Sequence, residues 1–152
     1  MTVPVVLVVE DGTEYAEAFG RLSGDVGPVE LLHATHAAQA RAILSTRRVD
    51  GVFLDVVFDR TPPEQLAGDR AELERRFAGD RAGALEHLAF HQGFYLLAEL
   101  APSIPAGTPV LLAHDFSSEP GRLAALQATV PGLEGVPESE TTTQILRRLT
   151  RR

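Results

Sequence analysis

Three carboxylates stand where an α/β protein does its chemistry. The apolar run Val3-Pro4-Val5-Val6-Leu7-Val8-Val9 ends in Glu10-Asp11, and the run Val52-Phe53-Leu54 ends in Asp55. A nearly continuous, β-branched apolar run reads as a strand buried on both faces, as in a parallel sheet. In such sheets ligands bind beyond the carboxyl ends of the strands, near the point where strand order reverses. If the two strands are neighbours, Glu10, Asp11 and Asp55 converge in one small pocket. Their mutual repulsion calls for a neutralising cation. An all-oxygen donor set suits a hard ion that keeps several waters, such as Mg²⁺. A single acid at a strand end reads as a solvated loop residue, whereas three at these positions favour a site.

Other chemistries find less support. His87 and His91 share an i, i+4 helical face and could hold a transition metal, but no third ligand is near in sequence, so packing or surface roles are expected. His33 and His36 flank Thr35. The sequence contains no Gly-rich phosphate loop, serine-histidine-acid set or metalloprotease pattern. It has no cysteine, which excludes disulfides, thiolate metal sites and a cysteine nucleophile. All 14 basic residues are arginine, so a site that needs a lysine ammonium cannot be built.

The net charge of −7 argues against a nucleic-acid partner. Arg147-Arg148 and Arg151-Arg152 read as a solvated helix end. The apolar start is too short to span a membrane and lacks a basic leader, so a cytoplasmic protein with no membrane partner is expected. At 152 residues and 44% hydrophobic, the chain suits a single domain over 1–152.

The elements that must position the acids follow in βα order. After the first strand, Tyr15, Phe19 and Leu22 share a helical face. Val29 to Ala34 is the second strand, and Thr35 is the expected N-cap of a helix burying Ala37, Ala40, Ile43 and Leu44. Asp50 to Val57 is the third strand and Thr108 to His114 the fourth. Ser117 or Ser118 is the expected cap of a helix burying Leu123, Leu126 and Val130. A short, glycine-broken fifth strand spans Gly132 to Val136, and a last helix from about Ser139 turns Ile145, Leu146 and Leu149 inward. Strands alternating with helices imply a parallel sheet with right-handed crossovers, covered on both faces.

The stretch 59–87 departs from that alternation. It opens with the turn signal Thr61-Pro62-Pro63 and turns charged and helix-favouring. Ala67-Gly68-Asp69-Arg70-Ala71 recurs as Ala78-Gly79-Asp80-Arg81-Ala82. Each Gly-Asp pair is read as a helix start, with Asp near the positive end of the dipole. Leu73, Phe77, Leu85 and Leu88 give this helical insertion an apolar surface to dock.

Val6-Leu7-Val8-Val9-Glu10-Asp11, then Val52-Phe53-Leu54-Asp55, then Pro109-Val110-Leu111-Leu112 resembles a response-regulator receiver domain over nearly the whole chain outside 59–87. His91-Gln92-Gly93-Phe94-Tyr95-Leu96-Leu97 resembles the family's Asp-Gly segment that opens its third helix. The resemblance implies a flavodoxin-like fold with a five-stranded parallel sheet in the order 2-1-3-4-5. It implies Asp55 as phosphoacceptor and a Mg²⁺ site at Glu10, Asp11, Asp55 and the Val57 backbone carbonyl. The chemistry implied is in-line attack of the Asp55 carboxylate on a phosphoryl donor.

Three family positions are altered. The hydroxyl that ends strand four falls on His114, the lysine of the last βα loop on Val136, and the aromatic switch residue of strand five on Leu133. Valine cannot give a phosphoryl oxygen the charge-assisted bond an ammonium gives. Protonated His114, and Arg122, are the candidate substitutes.

The resulting expectation is a non-enzymatic, stand-alone receiver in phosphorelay signalling. It would act through contacts with a histidine kinase or another signalling protein, with Asp55 the potential phosphoacceptor. Contact, including homodimerisation, is expected on the face around Ser117 to Val130 and Leu149. The alternative is a phosphorylation-independent pseudo-receiver. A metal-dependent phosphatase on the same fold is disfavoured, because Val57 stands where such enzymes carry a second acid.

Overall fold

The computed structural model describes residues 2–151. Its strands are β1 (Val5–Val9), β2 (Glu30–Ala34), β3 (Gly51–Leu54), β4 (Val110–Leu112) and β5 (Leu133–Gly135). The helices are α1 (Glu14–Val26), α2 (Ala37–Thr46), α3 (Arg70–Arg76), α4 (Arg81–Phe90), α5 (Gln92–Leu100), α6 (Pro120–Gln127) and α7 (Thr142–Thr150). The strands form one sheet in the order β2-β1-β3-β4-β5, with every pairing parallel. This is the flavodoxin-like order, and its reversal point lies between β1 and β3.

Alternation along the strands sorts the core into two layers. Leu7, Val9, Val52, Leu54, Val110 and Leu112 point to one face, where Ala40 of α2, Leu96 and Leu97 of α5 and the partly buried Leu123 of α6 cover them. Val6, Val8, Phe53 and Leu111 point to the other, against Phe19 of α1 and Ile145, Leu146 and Leu149 of α7. Both faces are apolar along all of β1 and β3, which is why those runs read as continuous rather than alternating.

Several local expectations shift. His36, not Thr35, is the N-cap of α2, and Thr35 instead donates its amide and hydroxyl to Gln39 Oε1. Helix α6 is capped by Glu119 with Pro120 at its first turn, rather than by Ser117 or Ser118. Proline has no amide hydrogen to satisfy, so that start needs less capping. Helix α7 begins at Thr142, behind a capping box in which Thr141 and Gln144 satisfy each other's backbone amides. Val130 and Leu149 are buried core residues and cannot belong to a contact face, because both are drawn into the layers around the sheet.

The segment between β3 and α5 is folded into helices. Leu73, Ala84 and Leu88 form a small core of their own, joined by Leu66, Phe77 and Tyr95. Gly68 and Gly79 take left-handed backbone conformations, and Asp69 and Asp80 that follow each accept the amide three residues on, Glu72 at 3.0 Å and Gly83 at 2.9 Å. Each Gly-Asp pair therefore turns the chain and caps the next helix. Asp80→Ala is expected to cost about 1 kcal/mol, read as a lower denaturant midpoint with an unchanged slope.

Candidate functional site

The carboxyl ends of β1 and β3 lie side by side, with the Asp55 amide donating to the Val9 carbonyl at 2.9 Å. All three acids follow directly from these two ends. Each carboxylate is nevertheless engaged in a different way.

Glu10 is 1% exposed. Its Oε1 accepts the Tyr15 amide at 3.0 Å and its Oε2 the Ala16 amide at 2.8 Å. Thr13 makes no side-chain cap bond, so Glu10 serves the open N-terminus of α1, where backbone donors and the helix dipole favour negative charge. The His33 Nε2 lies 2.7 Å from the Gly12 carbonyl, which can only accept, so the proton sits on that nitrogen.

Asp11 is held by the loop that follows β3. Its Oδ2 accepts the main-chain amide of Arg60 at 2.8 Å, and its Oδ1 lies 3.4 Å from the Arg60 Nη2. The same guanidinium reaches Glu14 on the first turn of α1, with Nη1 at 3.0 Å from Oε1 and Nη2 at 3.2 Å from Oε2. The Arg60 side chain holds the Glu14 carboxyl below the usual carboxylate range.

Asp55 Oδ1 accepts the Val56 amide at 2.9 Å. Burial pushes its carboxyl up to about 6, and the charges of Glu10, Asp11 and Glu14 add to this against the Val56 hydrogen bond. Beside it, the Tyr15 ring lies 4.4 Å from that of Phe53. The Tyr15 phenol is raised first by burial and then by the charges of Asp55 and Glu10.

On the other side α5 comes very close to the main chain of Asp55. The Gly93 amide donates to the Val56 carbonyl at 3.1 Å, and a Cβ at position 93 would stand 2.5 Å from the Asp55 carbonyl oxygen. Only glycine allows that approach. Val57 is exposed in the loop beyond.

These residues do not, as arranged, fit the Mg²⁺ that the resemblance implies. Both oxygens of Glu10 accept backbone amides, Asp11 faces Arg60, and Asp55 has one oxygen on Val56. Among the described residues no group of three histidine or acid side chains is placed to hold a metal ion.

The three altered positions are also accounted for. His114 Nε2 lies 2.9 Å from Glu119 Oε1, and its ring packs edge-on against Phe94 and Phe116. Arg122 donates to Glu119 at 3.1 Å and stands 4.0 Å from the centre of the Phe94 ring. The two candidate hydrogen-bond donors to a phosphoryl group are thus tied to one carboxylate. Leu133 is fully buried, and Val136 packs against the α1 and α7 layer with its amide on the His114 carbonyl at 3.0 Å.

The histidine pair proves a packing feature. His87 and His91 stack at 4.3 Å, the His87 Nε2 meets the Tyr95 hydroxyl at 3.1 Å, and the His91 Nδ1 donates to the His87 carbonyl at 2.9 Å.

Three residues here escaped the sequence reading. Arg60 lies 49 residues from Asp11, and nothing in their spacing announces the contact. Glu14 is an acid in the first turn of α1, a common place for one. Glu119 carried no motif at all.

No protein-family model and no curated protein sequence matches the chain. Solved structures do. The chemotaxis protein CheY4 of Vibrio cholerae superposes with a TM-score of 0.60 at 18% identity, covering 99% of this chain and 98% of that one. The signal receiver domain of an HD domain-containing protein from Pseudomonas fluorescens gives 0.59 at 18% identity, over 99% and 94%. The receiver domain of the Francisella response regulator 1452 gives 0.58 at 15% identity, over 96% and 93%. At such identities the likeness is one of fold, and the fold is that of response-regulator receiver domains.

Proposed function

We propose that this chain is a receiver module of two-component phosphorelay signalling, with Asp55 as its phosphoacceptor and protein contacts as its output. The observation that supports this most is the situation of Asp55. On a receiver-like fold it ends the central strand at the reversal point of the sheet, in an acidic, partly buried pocket. A carboxylate oxygen of Asp55 would attack the phosphorus in line. The new O–P bond forms as the bond to the donor nitrogen or oxygen breaks, and the leaving group keeps that electron pair.

With its carboxyl at about 6, about nine-tenths of Asp55 is ionised at pH 7. Labelling is therefore expected to decline as pH falls through 6. The test is chemical. The full chain is treated with an acyl phosphate or phosphoramidate and then reduced with borohydride, which converts a phosphorylated aspartate to homoserine. Conversion at position 55 alone supports the assignment, and conversion at Asp11 or Asp59 overturns it.

A second reading, a pseudo-receiver that works without phosphate, draws on specific observations. His114 and Arg122 are both engaged by Glu119, Leu133 is core, and the chain has no lysine. Under that reading the borohydride product is absent. A histidine kinase is the proposed partner of the first reading and another signalling protein that of the second. No hydrolase step is proposed, because Val57 offers no second acid.

A further inference from the structure

Four acids gather at one end of the sheet, and one side chain enters among them with the opposite charge. Asp11 has a side chain only 4% exposed, yet both of its oxygens face position 60. The contact is built from two directions. The main-chain amide at 60 fixes the loop to Oδ2, and the guanidinium then spans from Oδ1 to both oxygens of Glu14. The loop is itself anchored, since Phe58 is buried in the main core and its amide donates to the Ala89 carbonyl at 2.7 Å. Arg60 is thus delivered by a fixed segment, although its own side chain is 57% exposed. A planar fork suits this bridging of two carboxylates, which a point charge on a flexible stem would do poorly.

We propose that the pocket carries its own cation: the Arg60 guanidinium holds Asp11 and Glu14 in place of a divalent ion, and a metal binds only by displacing it. The idea rests on the receiver reading for its interest in that pocket, but it concerns cation binding alone. It can therefore fail or stand with no phosphoryl donor in the tube. The arginine latch offsets part of the negative charge of the resting pocket, and it makes cation entry depend on the loop after β3.

Mn²⁺ binding to the full chain, read from the free-ion electron paramagnetic resonance signal, tests this directly. Arg60→Ala frees Asp11 Oδ1 and leaves the main-chain amide at 60 in place. It is expected to bind Mn²⁺ about tenfold more tightly than wild type, equivalent to about 1.4 kcal/mol. Arg47→Ala removes the same charge from a surface pair with Glu30 and is expected to leave the affinity within about twofold of wild type, as distant exposed charges are screened. Arg60→Lys keeps the charge but not the fork, and is expected to fall between wild type and Arg60→Ala. An Arg60→Ala affinity within twofold of wild type, including no binding by either, overturns the latch. So does an Arg60→Lys affinity equal to wild type, which would reduce the effect to a simple field. Circular dichroism and melting of each variant establish that the comparison is between folded chains.

Discussion

Gln92→Met is expected to lower stability by about 2–4 kcal/mol, although it keeps the side chain's length and adds no charge. Gln92 is 1% exposed at the start of α5. Its Oε1 accepts the Ala67 amide at 2.6 Å, and its Nε2 donates to the carbonyls of Ala67 and Leu88, both at 3.1 Å. The carboxamide thus completes both backbone groups of Ala67, a buried residue that no strand or helix serves. With methionine there, a buried amide and a buried carbonyl lose their partners, and each such loss costs about 1–3 kcal/mol. Hydrogen exchange should rise first through α3 and α4, while β1 and β3 keep their protection. A change below about 0.5 kcal/mol, or one that opens the sheet and the helical segment together, would contradict the assignment of Gln92 as the staple of residues 59–90.

Asp55→Asn is expected to act in the opposite direction, stabilising the fold by about 1–2 kcal/mol at pH 7. In the unfolded chain Asp55 ionises at its ordinary 3.8, and in the folded chain at about 6. Between those pH values the folded chain holds a proton that the unfolded chain has lost. Stability therefore falls as pH rises across that window and stays reduced above it. At about 1.4 kcal/mol for each tenfold in the protonation equilibrium, the ceiling is about 3 kcal/mol. Solvent contact at the rim of the pocket lowers this to the range expected. The amide can still accept the Val56 N–H through its oxygen while carrying no charge to repel Glu10, Asp11 and Glu14. Urea denaturation at pH 4 and pH 7 reads the effect: the gain should be small at pH 4 and full at pH 7. An equal gain at both, or a loss, would remove the electrostatic cause.

The sequence made the sheet legible because its signals are local. Val5 to Val9 and Gly51 to Leu54 are buried on both faces, and a continuous apolar run states as much. The Gly-Asp pairs at 68–69 and 79–80 were readable for the same reason, since a left-handed turn and a cap occupy adjacent residues. The acids could be located but their partners could not. Glu10 turned to the amides of Tyr15 and Ala16 because the α1 N-terminus offers more to a buried carboxylate than a shared pocket does. Asp11 met Arg60 across 49 residues, through a loop whose shape depends on the burial of Phe58 in the main core and its amide's bond to the Ala89 carbonyl in α4. Gln92 was hidden by its type, because a polar residue opening a helix normally faces water. The absence of lysine was plain from the start, and it meant that a permanently charged side chain in the pocket had to be arginine.

The central claim is that Asp55 takes up a phosphoryl group, and intact mass tests it most directly. Wild type and Asp55→Asn are incubated side by side with phosphoramidate and excess Mg²⁺, then weighed before the acyl phosphate can hydrolyse. The expected result is one added phosphoryl group on wild type and none on the variant. An unmodified wild type under conditions that label an ordinary receiver, or an equal adduct on Asp55→Asn, would contradict it.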